Sequence, residues 1–106
     1  MTSRPIVFHP AVEDDLAVIY DHYAAFDPAL PGRFEARLDE QIERLEMWPE
    51  SGAILFEGYR RLLIKRFPYM AVYLVGEDRI DVLAVIGTRR NLGAVLDAVT
   101  GRAQTT

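Results

Sequence analysis

The sequence predicts an α+β fold: an N-terminal strand, an antiparallel helical hairpin packed on an antiparallel β-sheet (β-α-α-β-β-β), and a short C-terminal helix. Three observations carry this expectation. Two long stretches of the N-terminal half repeat apolar residues every three or four positions, the spacing of a one-sided helix. Three runs rich in Val, Ile, Leu, Tyr and Phe follow one another between residues 59 and 87, as the strands of a meander do. The middle run, YMAVYLV, is apolar or aromatic at every position, so both of its faces need cover. The 106 residues make one domain, 1–106, long enough to bury about two-thirds of its unfolded surface without disulfides or metal.

Residues 4–8, RPIVF, are β-branched and aromatic after a proline and suit a short first strand. Pro10 stands where a helix begins, and Glu13, Asp14 and Asp15 load its first turn with negative charge, which complements the helix dipole. Val12, Leu16, Ile19, Tyr23 and Phe26 form one stripe along that helix. Asp27-Pro28 stops it and is placed to cap the next. In the second helix Phe34, Leu38, Ile42, Leu45 and Trp48 share a face, and charged residues cover the rest. Trp48, as the end of that stripe, is expected in the core. Pro49 and Gly52 end the helix.

Strands are expected at 59–67, 69–75 and 79–87, with Gly76-Glu77-Asp78 as the turn between the last two. Tyr69, Ala71, Tyr73 and Val75 alternate with Met70, Val72 and Leu74. The helical hairpin covers one of these faces. Leu92, Val95, Leu96 and Val99 lie at helical spacing within 91–100 and supply part of the second cover.

The formal net charge of −4 hides an asymmetry: residues 1–57 hold four Arg/Lys against twelve Asp/Glu, residues 58–106 eight against four. Eleven of the twelve cations are Arg, the side chain suited to carboxylate, phosphate and aromatic partners. Two readings stay open. One surface recognises something acidic, or strand-end arginines are neutralised by Asp81 and the helical carboxylates.

Several chemistries are excluded or unsupported. There is no cysteine, which rules out disulfides, thiol catalysis and thiolate metal sites and fits a cytoplasmic address. Ile6-Val7-Phe8 is too short for a signal-peptide core, and no run reaches transmembrane length, so no membrane association is expected. Ser3 and Ser51 lack a base at triad spacing. His9, Glu13 and the Asp21-His22 pair lack a further ligand to close a site, so no metal or cofactor is expected. His9 is expected at the strand-to-helix junction and His22 on the polar side of its helix. The clusters Glu13-Asp14-Asp15 and Asp39-Glu40 read as solvated. No glycine pattern forms a phosphate-binding loop.

What remains is the set of cations. Arg60, Arg61, Lys65 and Arg66 surround one strand, Arg79 opens the last, and Arg89 and Arg90 lie just past it. Strand periodicity puts Arg60, Leu62, Ile64 and Arg66 on one face and Arg61, Leu63 and Lys65 on the other. The start of the first meander strand is expected beside the end of the last, bringing Arg60 or Arg61 next to Arg89 and Arg90. Such crowding is costly without an acidic partner.

From Val7 to Arg90 the order of elements and the residues along them resemble the RelE/ParE superfamily of bacterial toxin–antitoxin systems, its ParE branch above all. Ala11, Asp15-Leu16 and Ile19-Tyr20 match the first helix, and Leu45, Pro49 and Gly52 the close of the second. Gly58-Tyr59-Arg60, Phe67-Pro68 and Val72-Tyr73 match the meander, and Arg89-Arg90 follow its last strand. The chain departs at Gly87, within VIGTRR, where many members carry His. It also has no Tyr after Tyr73 and no His after His22, groups on which RelE-type ribonucleases rely for proton transfer.

The resemblance implies the toxin of a type II, plasmid-stabilisation-type system, which inhibits DNA gyrase by binding it and is not itself an enzyme. It implies a cognate antitoxin, encoded beside the toxin, whose acidic-apolar C-terminal segment folds against the sheet and helices. Arg60, Arg61, Lys65, Arg66, Arg79, Arg89 and Arg90 are the expected partner-binding residues, without specific DNA binding by this chain alone. One alternative is a RelE-like ribosome-dependent mRNA endoribonuclease, with Arg60, Arg61, Lys65, Arg89 and Arg90 on the RNA phosphates. The other is a decayed, non-toxic module that only binds its antitoxin.

Overall fold

The computed structural model describes residues 4–104; Ser3 lies outside them. In chain order the elements are β1 (Ile6–Phe8), α1 (Ala11–Ala24), α2 (Leu30–Met47), β2 (Ala53–Phe56), β3 (Tyr59–Leu63), β4 (Tyr69–Val75), β5 (Ile80–Gly87) and α3 (Leu92–Gln104). The expected α+β architecture is present, with two additions. A fifth strand, β2, follows Gly52 and pairs antiparallel with β3 through a tight turn in which Glu57 takes φ 46°. The sheet is also mixed: its order is β1-β5-β4-β3-β2, and β1 lies parallel to β5 with Ile6 opposite Ile80 and Phe8 opposite Val82.

Local chemistry explains the boundaries. His9 stands at the junction of β1 and α1, where its Nδ1 accepts from the Ala11 amide at 3.0 Å and satisfies a donor that the helix start leaves open. Asp27 Oδ1 accepts from the Ala29 amide at 2.9 Å, ahead of α2. Gly76 closes the β4–β5 turn by donating to the Arg79 carbonyl at 2.9 Å.

β3 stops at Leu63, short of the expected residue 67. The amide of Ile64 bonds to Tyr69 O and that of Phe67 to Ile64 O, so Lys65 and Arg66 belong to a turn. Phe26 and Trp48 also correct the sequence expectation, at 75% and 58% exposed. Each lies just beyond the end of its helix, where the chain has left the helical path and the stripe no longer points inward.

Two cores sandwich the sheet. Val12 and Ile19 of α1 and Phe34, Leu38 and Leu45 of α2 pack on Leu62, Ile64, Ala71, Tyr73, Val82 and Val85. Phe34 is fully buried and meets Phe67 and Tyr69 edge-on, with ring centroids 5.1 and 5.7 Å apart. Such pairs add about 1 kcal/mol each beyond their area. On the other face Val95 and Val99 of α3 cover Met70, Val72, Leu83, Ala84 and Ile86, which is the second cover that the two-sided β4 required.

A bulge in β5 makes both cores possible. Val72 faces Ala84 and Tyr73 faces Val82, so Leu83 is an extra residue. Alternation slips by one there. Val82 and Val85 both reach the hairpin core, while Leu83, Ala84 and Ile86 reach the α3 core.

Candidate partner-binding site

The predicted cations divide into those tied into the fold and those left open. Arg60 is tied: its Nη1 donates to the carbonyls of Gly52 at 2.8 Å and Glu50 at 3.1 Å. Beside it the fully buried Tyr73 donates its hydroxyl proton to Pro49 O and accepts from the Gly52 amide, both at 2.9 Å. Burial pushes the Tyr73 phenol up, while the Gly52 amide and Arg60 pull against it. A Cβ on Gly52 would stand 2.5 Å from both Arg61 O and Tyr73 Oη, so only glycine fits. Pro49, Gly52, Arg60 and Tyr73 thus form one knot that joins the end of α2 to β3 and β4. Arg79 is held by Asp81 at 3.0 Å, a surface pair worth about 1 kcal/mol at most.

The structure overturns the expected meeting of Arg60 or Arg61 with Arg89 and Arg90. Arg60 pairs with Tyr73, which pairs with Val82, whereas Gly87, just before Arg89, pairs with Tyr69. Each hairpin reverses the chain, so the start of β3 lies beside the start of β5. The five steps from Val82 to Gly87 correspond to about 17 Å of strand. Arg61 sits opposite Val72, on the α3 side of the sheet.

The cations that do converge lie at the other end. The turn carrying Lys65 and Arg66 precedes Pro68, whose carbonyl accepts from the Thr88 amide at 3.0 Å and so holds the exit of β5. Pro68, Tyr69, Gly87, Arg89 and Arg90 line a cleft of about 410 Å³ there. On the far side of the same turn, Arg33 and Arg37 of α2 share a groove of about 420 Å³ with Arg66 and Phe67. Among the described residues Arg37 pairs with Glu40 at 3.3 Å, while Arg33, Lys65, Arg66, Arg89 and Arg90 have no carboxylate at ion-pair distance.

Arg33, Arg37 and Tyr69 were not singled out from the sequence. The two arginines sit in the acidic half, and nothing local marks them; their spacing of four, one helical turn, is the signal that was available. The arrangement can grip an anionic segment through guanidinium forks. No group of three or more His, Asp or Glu among the described residues is placed to hold a metal. His22 is exposed on α1 and packs edge-on against Phe26.

A second correction concerns Asp15, expected to be solvated. Its two carboxylate oxygens accept from Arg102 Nη1 at 2.6 Å and Nη2 at 2.9 Å, and Oδ2 also accepts from the Val85 amide at 3.0 Å. Arg102 Nη1 further donates to Leu83 O at 2.9 Å. The cause is the brevity of β1, which pairs only with Ile80–Val82 and leaves the edge of β5 beyond it without a neighbouring strand. Asp15 and Arg102 satisfy that edge and pin α1, β5 and α3 together. The hydrogen bonds to Asp15 push the Arg102 guanidinium up from its ordinary value.

With this geometry, the element order and the knot at Gly52 can be set against known proteins. A family model described as the ParE toxin of type II toxin–antitoxin system, parDE, matches residues 6–92. The chain belongs to the ParE toxin family. It is 32% identical over 101 residues to Toxin ParE2 of Mycobacterium tuberculosis, in two strains, covering 94% of this chain and 96% of that protein. A chain of the chromosomal ParDE TA system from P. aeruginosa superposes with a TM-score of 0.70 at 25% identity, over 80% of this chain and 96% of that one. The ParE match takes in every cation singled out from the sequence and ends before Arg102. No helix among the described residues of this ParE-family toxin is long and apolar enough to cross a membrane.

Proposed function

We propose that this ParE-family toxin acts in the cytoplasm by binding DNA gyrase, and that a cognate antitoxin holds it inactive by laying an acidic-apolar segment over the basic end. The observation that carries this reading is the group Arg33, Lys65, Arg66, Arg89 and Arg90, gathered at one end without carboxylate partners among the described residues. Like charges held together favour an acidic partner, which steers association and replaces the repulsion with ion pairs. The gyrase target and the plasmid-stabilising role come from the family resemblance and agree with a surface built for binding. Two measurements test the proposal. Induced expression without the neighbouring antitoxin gene arrests growth, and the purified chain inhibits supercoiling by gyrase in a reaction that added antitoxin reverses. Full supercoiling at saturating toxin overturns the gyrase target.

A ribosome-dependent mRNA endoribonuclease is favoured by one feature, the Tyr69 phenol, which lines the cleft that holds Arg89 and Arg90. A phenol beside two guanidiniums can move a proton while they hold the phosphate. Mapping transcript ends after induction separates the two, because a gyrase inhibitor leaves mRNA ends unchanged. Antitoxin binding without any effect on growth, supercoiling or transcripts assigns the chain to a non-toxic binding module.

A further inference from the structure

We propose that β2 is a dimerisation edge, and that two copies of this chain pair through it, antiparallel, about a two-fold axis. This pairing does not depend on the function proposed above. The sheet ends in β1 on one side and β2 on the other, and the two edges differ in how they are guarded. β1 is three residues long and follows Pro5, two devices that blunt an edge. Beyond it, Asp15 and Arg102 occupy the amide of Val85 and the carbonyl of Leu83. β2 has no such guard. Its four residues, AILF, include no charge and no proline, and among the described residues it pairs with β3 alone. Ile54 is 62% exposed, and Ala53 is exposed beside it. The bulge between Ile54 and Phe56 lies toward the turn and leaves Ala53 and Ile54 in regular register with Arg61 and Arg60.

The charges at the two ends of β2 select a second copy as the occupant. Glu57 stands exposed just past the end of the strand, while Arg61 flanks its beginning, opposite Ala53. Neither has an ion-pair partner among the described residues. With the axis between Ile54 and Leu55, Ala53 faces Phe56 of the second copy, and Gly52 faces its Glu57. Each Glu57 then comes beside the other copy's Arg61 and near its Arg60, whose guanidinium lies on the Gly52 carbonyl. The symmetry makes every such contact twice. On the α3 side, small Ala53 leaves Arg61 a path toward the second copy's Phe56, which stacks on Tyr59 with ring centroids 4.5 Å apart. Such rings attract a guanidinium. A parallel pairing would instead set Glu57 beside Glu57 and Arg61 beside Arg61. Two five-stranded sheets join into one, and the two basic ends lie at its opposite ends, both open. One short strand pair lies below the standard interface size, so Kd is expected on the order of 10–100 µM.

Sedimentation of the full chain, from about 5 µM to about 1 mM, tests the pairing; the parent passes from monomer to dimer over this range. Ile54→Lys puts a charge on the edge and raises Kd about tenfold or more. Val18→Lys makes the same kind of change at an exposed position of α1 and keeps Kd within about twofold. Glu57→Arg and Arg61→Glu each set like charges together at both contacts and raise Kd about tenfold or more. An equimolar mixture of those two variants restores the parent Kd within about threefold, because each Arg then meets a Glu in the mixed dimer. All four substitutions fall on exposed or half-buried side chains, and circular dichroism checks that each variant is folded. A chain that stays monomeric throughout, a dimer indifferent to Ile54→Lys, equal losses from Ile54→Lys and Val18→Lys, or a mixture no tighter than its parts overturns the proposal.

Discussion

Arg102 grips Asp15 through both guanidinium nitrogens, at 2.6 and 2.9 Å, across 87 positions of the chain. With Leu83 O and Val85 N also engaged, the pair substitutes for a strand along the open part of β5. Both side chains are mostly shielded from water, 22% and 13% exposed, so losing either strands the other. Asp15→Ala or Arg102→Ala is expected to cost about 2–4 kcal/mol and to lower Tm by on the order of 10 °C. The double variant should cost less than the sum of the singles, because the second change removes a charge already orphaned. Urea unfolding of all four proteins measures this, and strictly additive losses would mean the two groups are not coupled.

The knot at Gly52 predicts a contrast between glycines. Gly52→Ala drives a methyl against Arg61 O and Tyr73 Oη, each 2.5 Å away, and is expected to cost about 2 kcal/mol or more. Tyr73→Phe leaves the Gly52 amide and the Pro49 carbonyl unpaired, at about 1–3 kcal/mol. Gly101, inside α3, has nothing within 4 Å of an added Cβ, so Gly101→Ala stabilises by about 0.5–1 kcal/mol. Thermal melts of the three variants rank them, and a Gly52→Ala protein as stable as the parent would refute this close packing around Gly52.

Alkaline pH should weaken the fold through its tyrosines. Tyr73, Tyr20 and Tyr23 are all raised above the usual phenol value of 10.0, chiefly by burial. The folded state therefore keeps protons that the unfolded chain releases. Stability is full below 10.0 and falls as pH climbs from there through the raised values. Tyr73→Phe, less stable at neutral pH, should lose less on going to about pH 11. Urea midpoints against pH test this; parallel curves for parent and variant would show that Tyr73 does not contribute.

The features legible in the sequence are those written in local periodicity. Val12, Leu16 and Ile19, then Phe34, Leu38 and Leu45, mark the hairpin's inner stripes, and the two-sided run from Tyr69 to Val75 announces a covered sheet. β2 escaped because four residues after Gly52 carry no alternation to read. Trp48 and Phe26 misled because a stripe continues in sequence past the point where the helix stops in space. The Asp15–Arg102 contact has no local signal at all, since only the fold brings α1 and α3 to one edge. The same holds at the basic end, where Arg66 shares a groove with Arg33 and Arg37 from the acidic half. The RelE/ParE resemblance pointed to Pro49, Gly52, Arg60 and Tyr73, and these prove to be a structural knot rather than an open surface.

Arg66 separates the needs of the fold from those of binding. It holds φ 71° at the β3–β4 turn, a left-handed conformation that costs a side-chain-bearing residue about 1–2 kcal/mol, of which glycine's extra freedom when unfolded returns part. Arg66→Gly should therefore stabilise by about 0.5–1 kcal/mol while removing a cation from the basic end. Arg60→Ala should do the reverse, losing two bonds to backbone carbonyls and about 1–2 kcal/mol of stability while leaving that end intact. If the basic end engages the target, Arg66→Gly combined with Arg89→Glu and Arg90→Glu abolishes growth arrest in a protein that melts no lower than the parent. Arg60→Ala then reduces arrest only in proportion to the folded protein present. Growth after induction, normalised to soluble toxin, decides the matter: undiminished arrest by the triple variant would move the functional surface elsewhere on the molecule.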